Sequence, residues 1–230
     1  MDFKNGLKDG IAIALGYFSV SVAFGLMVAE CGLTWFEGLL ISLTNLTSAG
    51  QFAGVTVIAG MGTYLEMALT QLVINSRYAL MGISLSQRVD GKFKGAWRLL
   101  LGFAITDEIF AVAIGQKGDI SREYYAGLMS LPIIGWSAGT LCGAVIGNVM
   151  PAIITNALGI ALYGMFIAVV VPKSRENLHV FAVVLMSAAL SAALYYLPVF
   201  SGISTGFAII ICALAASAVG AVLFPVKEES

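Results

Sequence analysis

Eight long apolar runs joined by short polar loops leave this chain few ways to fold. They are Ile11–Ala29, Phe36–Gly60, Tyr64–Leu85, Trp97–Gly115, Ala126–Val149, Ala152–Val171, His179–Leu197 and Ser204–Phe224. A bilayer core about 30 Å thick takes about 20 residues of helix, and most of the runs are close to that length. Of the 230 residues 59% are hydrophobic and only 11% charged, where a soluble domain carries about 25% charged residues on its surface. Mean hydropathy is +0.94. A closed β-barrel would need polar and apolar residues to alternate, whereas these runs are continuously apolar. The expected fold is therefore an all-α integral membrane protein in one membrane domain, residues 1–230. The first run has no small-x-small cleavage site, and its Gly and Ser content suits a packed helix rather than a removable signal. A net charge of −1 excludes a basic nucleic-acid binder. Cys31, Cys142 and Cys212 show no zinc spacing and no disulfide framework, so all three read as small buried hydrophobes, with no metal and no cofactor expected.

The loop cations bear on topology, because Lys and Arg concentrate on the cytoplasmic side. If all eight runs cross, Arg88, Lys92, Lys94 and Arg98 fall opposite Lys4, Lys8, Lys117, Arg122, Lys173, Arg175 and Lys227. If one of runs 1–3 and one of runs 5–6 are re-entrant, only Lys117 and Arg122 oppose the rest. The charge rule favours the second arrangement: about six crossings plus one or two re-entrant or broken helices, with seven or eight crossings as the alternative and both termini cytoplasmic. It also implies halves 1–117 and 118–230 related as an inverted repeat, an architecture common among secondary transporters.

Three polar clusters interrupt the apolar runs. Thr44-Asn45-Leu46-Thr47-Ser48-Ala49-Gly50-Gln51 lies in the middle of run 2. It reads either as an unwound helix in a substrate site, with Ser48, Gly50 and Gln51 facing the solute, or as a closely packed small-residue helix. In run 3, Gln71, Asn75 and Tyr78 form one stripe, and Glu66, Thr70 and Arg77 another. Arg77 either snorkels to the interface or forms an ion pair. Run 4 carries Thr106-Asp107-Glu108 near its middle. Carboxylates at that depth mark functional sites by default: one can pair with Arg77, the other bind an amine or carry a proton. The alternatives are a structural cluster and a shorter helix with Asp107 nearer the surface. In run 5, Gly135, Gly139, Gly143 and Gly147 form an i+4 ladder suited to helix packing, and Pro132 is a candidate break.

Ser48-Ala49-Gly50-Gln51-Phe52-Ala53, then Asn75-Ser76-Arg77-Tyr78-Ala79-Leu80-Met81-Gly82, then Trp97-Arg98 and Thr106-Asp107-Glu108-Ile109-Phe110-Ala111 resemble, in order and spacing, the AzlC family. Gly135-Trp136 with Gly139-Thr140 fits the same pattern. The resemblance implies the large subunit of a bacterial two-component branched-chain amino acid exporter, partnered by a small AzlD-type membrane subunit. It would move leucine, isoleucine or valine, and in some members methionine, outward across the plasma membrane on an ion gradient. Such a protein would not be an enzyme. A channel or uptake facilitator for another small solute is the main alternative, and a membrane-embedded enzyme or a non-transporting scaffold are weaker ones.

Overall fold

The computed structural model describes residues 2–149, 167, 170–172 and 174–224. Its helices are α1 Phe3–Glu30, α2 Trp35–Thr44, α3 Ala49–Ala59, α4 Tyr64–Ser86, α5 Ala96–Gly102, α6 Asp107–Ile114, α7 Arg122–Val149, α8 Leu178–Tyr196 and α9 Thr205–Leu223, with a 3-10 turn at Pro198–Phe200. Among the described residues there is no strand, only an isolated bridge between Val89 and Ile120. Helices α1, α7, α8 and α9 are long and apolar enough to cross a membrane. The chain is an all-α integral membrane protein. Run 6 lies almost wholly outside the described residues. The expectation of three buried cysteines holds for Cys212 alone: Cys142 is exposed on α7, and Cys31, at the C-cap of α1, is intermediate.

Two compact units divide the chain: Met1–Phe52 with Asn75–Gly159, and Ala53–Ile74 with Ile160–Ser230. In the first unit, α1 starts on an Asp2 cap whose side chain accepts from Asn5 N at 3.0 Å. It stops at Gly32, which takes φ +76°, a conformation that glycine adopts at no steric cost. Thr34 and Glu37 then form a reciprocal capping box that starts α2. Run 2 does not continue as one helix. It unwinds at residues 45–48, where Ser48 has φ +50°, so α2 and α3 are each about 15 Å long, half a bilayer.

Run 4 is likewise two short helices and not the single crossing that its apolar length suggested. α5 has 7 residues and α6 has 8. Asp90 N donates to Ile120 O at 3.0 Å and Ile120 N to Arg88 O at 2.7 Å, so the segment returns to the side it left. Run 4 is thus a re-entrant hairpin. The re-entrant segments are expected in one of runs 1–3 and one of runs 5–6, not in run 4; run 6 lies almost wholly outside the described residues, and run 5 is the continuous helix α7. Pro132 does not break it. The Leu128 carbonyl that proline at i+4 cannot satisfy lies against Gly10, where a Cβ would come within 2.6 Å of the oxygen.

α1 and α7 pack along their whole lengths and run in the same direction. Gly6 meets Tyr124, Gly10 meets Leu128, Gly135 meets Ala14, Gly139 meets Phe18, Gly143 meets Val22 and Gly147 meets Ala29. The glycine ladder therefore is a packing seam, in which missing side chains let backbones touch. This parallel run also corrects the inverted relation: the helices opening halves 1–117 and 118–230 would be antiparallel in an inverted pair.

The same contacts put the cations of this unit on one face. Asp9 Oδ2 accepts from Tyr124 OH at 2.7 Å, Arg88 donates to Gln116 O at 2.7 Å, and the Arg122 guanidinium lies 5.3 Å from the Trp97 ring centroid. Lys4, Lys8, Arg88, Lys92, Lys94, Arg98, Lys117 and Arg122 thus gather at one end, so Lys117 and Arg122 do not oppose the others. Lys92→Cys and Lys117→Cys, each in a background free of native cysteines, are expected to label with a membrane-impermeant maleimide from the same side of the membrane. Labelling from opposite sides would show that run 4 crosses after all.

Candidate functional site

The two breaks of the first unit meet at the middle of its long helices. Tyr17 is near the midpoint of α1 and Trp136 near that of α7. The second break owes its position to Thr106, whose extended backbone caps α6 and whose Oγ1 accepts from Ile109 N at 3.4 Å. Asp107 and Glu108 follow in the first turn, where the positive end of the helix dipole favours carboxylates.

Arg77 of α4 joins the breaks. Its Nη1 donates to Asp107 Oδ2 at 2.5 Å and its Nη2 to the Tyr78 hydroxyl at 3.0 Å. Tyr78 in turn donates to the Thr47 carbonyl at 3.3 Å, in the first break. The Arg77 and Asp107 side chains are 44% and 42% exposed in this chain, so the pair can be reached by a solute or a partner helix. Beneath it the Tyr17 hydroxyl, buried, lies 2.5 Å from Thr106 Oγ1 and 2.6 Å from Glu108 Oε2. A phenol has one proton, so it donates to one of these at a time, and Glu108 is the charged acceptor. Trp136 packs edge-on against Tyr17, centroids 5.4 Å apart. Its Nε1 is buried with no hydrogen-bond partner among the described residues.

The structure therefore brings together Thr106, Asp107, Glu108, Arg77 and Tyr78. Of the two open readings of Arg77, it forms the ion pair. Asn75 is half-buried on the same helix, one turn before Tyr78. Gln51 sits differently: wholly buried, it donates to Ser42 Oγ at 3.0 Å and accepts from Ser48 N at 3.3 Å. Ser42 Oγ is in turn 2.8 Å from Thr140 Oγ1 of α7. Gln51, with Ser48 and the buried Gly50, holds the first break in shape and ties it to α7. Tyr17 and the Thr47 carbonyl were missed from the sequence. A lone tyrosine in an apolar run gives no sign of its partners, and a backbone carbonyl is exposed as an acceptor only by the unwinding itself.

These features define a class: a polytopic membrane protein in which two interrupted helices present charged and polar groups at mid-depth, held together by a third helix. The chain belongs to the AzlC family, matching AzlC protein over residues 12–150. It is 29% identical over 207 residues to Inner membrane protein YgaZ of Escherichia coli (strain K12), covering 86% of this chain and 84% of that one. It is 26% identical over 180 residues to an uncharacterized membrane protein of Helicobacter pylori (strain J99), covering 76% and 77%. It is also 20% identical over 181 residues to the Branched-chain amino acid transport protein AzlC of Bacillus subtilis (strain 168), covering 77% and 70%. No solved structure matches the chain.

Proposed function

We propose that this chain is the large subunit of a two-component secondary transporter that exports branched-chain amino acids, with a small AzlD-type membrane protein as partner. The observation that carries the reading is the half-open Arg77–Asp107 pair beside Glu108, at the meeting point of two interrupted helices. Broken helices at mid-depth free backbone groups and dipoles for a charged solute. A zwitterionic amino acid needs an acceptor for its ammonium and donors for its carboxylate. Glu108, exposed and oriented by Tyr17, supplies the first. Arg77, held by Asp107, and Asn75 supply the second. The name of the Bacillus relative supports the substrate class. No step of this reading breaks or forms a covalent bond, so it assigns no catalytic residue.

The cation-rich face of the first unit is read as cytoplasmic, which puts the N-terminus there. The C-terminus is assigned to the same side. Halves 1–117 and 118–230 are then read as parallel, each opening with a helix that leaves that face. The deciding experiment preloads cells with isoleucine- or leucine-containing dipeptides and follows amino-acid efflux with and without an AzlD-type partner. Efflux is expected to rise only when both proteins are present and to collapse with a protonophore. Unchanged efflux, with both proteins verified in the membrane, would overturn the assignment.

A further inference from the structure

The second unit holds a carboxylate that none of the groups above uses. Glu66, near the start of α4, is 4% exposed. Its Oε1 accepts from the Ser204 hydroxyl and, at 2.9 Å, from Gly206 N in the first turn of α9. Ser204 Oγ also accepts from Phe207 N at 3.5 Å, which commits the hydroxyl proton to Glu66. The site is shaped for this group, since a Cβ at Gly206 would overlap the carboxylate. One turn along α4, the Thr70 hydroxyl is fully buried and has no partner among the described residues. No Lys, Arg or His neutralises Glu66 among the described residues. α3 and the loop 60–63 carry no charged residue, and α9 has only Cys212 as a titratable group. On α4 the others are Tyr64, which is 97% exposed, Tyr78, and Arg77, about 16 Å along the axis. On α8, which packs against α9, Tyr195 and Tyr196 are exposed and His179 stacks on Phe224 at the far end of α9.

We infer that Glu66 is the coupling site of this transporter, taking up and releasing the driving proton at Oε2; the inference rests on the ion-driven reading above. Among the described residues both donors go to Oε1, so a proton arriving at Oε2 displaces neither of them. In the neutral acid Oε1 becomes the carbonyl oxygen and keeps the same two hydrogen bonds. A proton from water forms the O–H bond at Oε2 and returns to water on release, leaving the carboxylate. A charge inside an apolar bundle is costly unless paired, so the two protonation states differ in how readily this part of the bundle exposes Glu66.

The test uses the full chain with its partner, reconstituted in vesicles. Glu66→Gln keeps the shape and the Oε1 acceptor but cannot titrate. Uphill isoleucine efflux driven by a pH gradient is expected to fall at least about tenfold, and the dependence of rate on pH to flatten. Isoleucine exchange without a gradient should persist. A second measurement needs no substrate: the infrared band of a protonated carboxyl should appear on acidification of wild type and be missing in Glu66→Gln. Gradient-driven efflux at the wild-type level in Glu66→Gln, or an unchanged infrared band, would overturn the inference. Loss of exchange together with uphill efflux would also overturn it, by making Glu66 structural. Absence of isoleucine flux in wild type would instead count against the proposed function, and the infrared result would still judge Glu66.

Discussion

Asp107→Asn is expected to lower isoleucine efflux at least about tenfold, and to destabilise the protein more than Arg77→Gln does. The two side chains form one pair at 2.5 Å, but what each leaves behind differs. Without Asp107, an unpaired guanidinium remains at mid-depth, where insertion scales put its cost at about 2.5–3.5 kcal/mol. Without Arg77, the unpaired Asp107 carries a similar cost, reduced by the about 0.3–1 kcal/mol that the helix dipole contributes in the first turn of α6. The half-exposure of the pair reduces both figures without changing their order. Arg77 also donates to Tyr78, which holds the Thr47 carbonyl, so either change loosens the joint between the two breaks. In the double variant neither charge is stranded, and its loss of melting temperature should be smaller than the two single losses added together. Melting in detergent and efflux in vesicles, measured on all three variants, check this. Strict additivity would show that the pair is not an interacting unit, and wild-type efflux in Asp107→Asn would remove it from the transport site.

Much of this arrangement was legible from residue types, because the bilayer penalises polar groups so strongly. The first break was readable from Thr44 to Gln51, since a cluster of hydroxyls and amides in mid-run has no other inexpensive arrangement. The glycine ladder was readable from its spacing, although spacing says nothing of the partner's direction, and the parallel run of α1 and α7 emerged only from the contacts. The second break was legible only as the alternative of a shorter helix with Asp107 nearer the surface. Phe103-Ala104-Ile105 continues the apolar run, and Thr106-Asp107-Glu108 was read for its charge when it is also a helix-start pattern: a capping threonine followed by two acids. What turns run 4 back is non-local, the pairing of residues 88–90 with Ile120. Local composition does not encode such pairing. Glu66 was placed in a stripe with Arg77, yet its partners lie 138 and 140 residues away.

The second large effect falls on the seam between α1 and α7. Replacing both Gly139 and Gly143 with alanine is expected to lower the melting temperature in detergent by on the order of 10 °C, whereas Gly16→Ala should leave it nearly unchanged. A Cβ at 139 would overlap Ser21 Oγ and the Phe18 carbonyl, and one at 143 the Val22 carbonyl. These obstacles are chiefly backbone, which cannot swing aside as a long side chain can. The helices must separate, and overpacking of this kind costs about 1–3 kcal/mol per site. Gly16 lies on the same helix as those carbonyls, but a Cβ there meets nothing within 4 Å, so it isolates packing from helix propensity, which alanine improves in all three places. Separation would also displace Tyr17 from Trp136, now 5.4 Å apart, and with it the hydroxyl that orients Glu108. The seam variant should therefore lose efflux even at temperatures where it stays folded. If it melts as wild type does, the close approach of α1 and α7 is not the contact that holds this unit together.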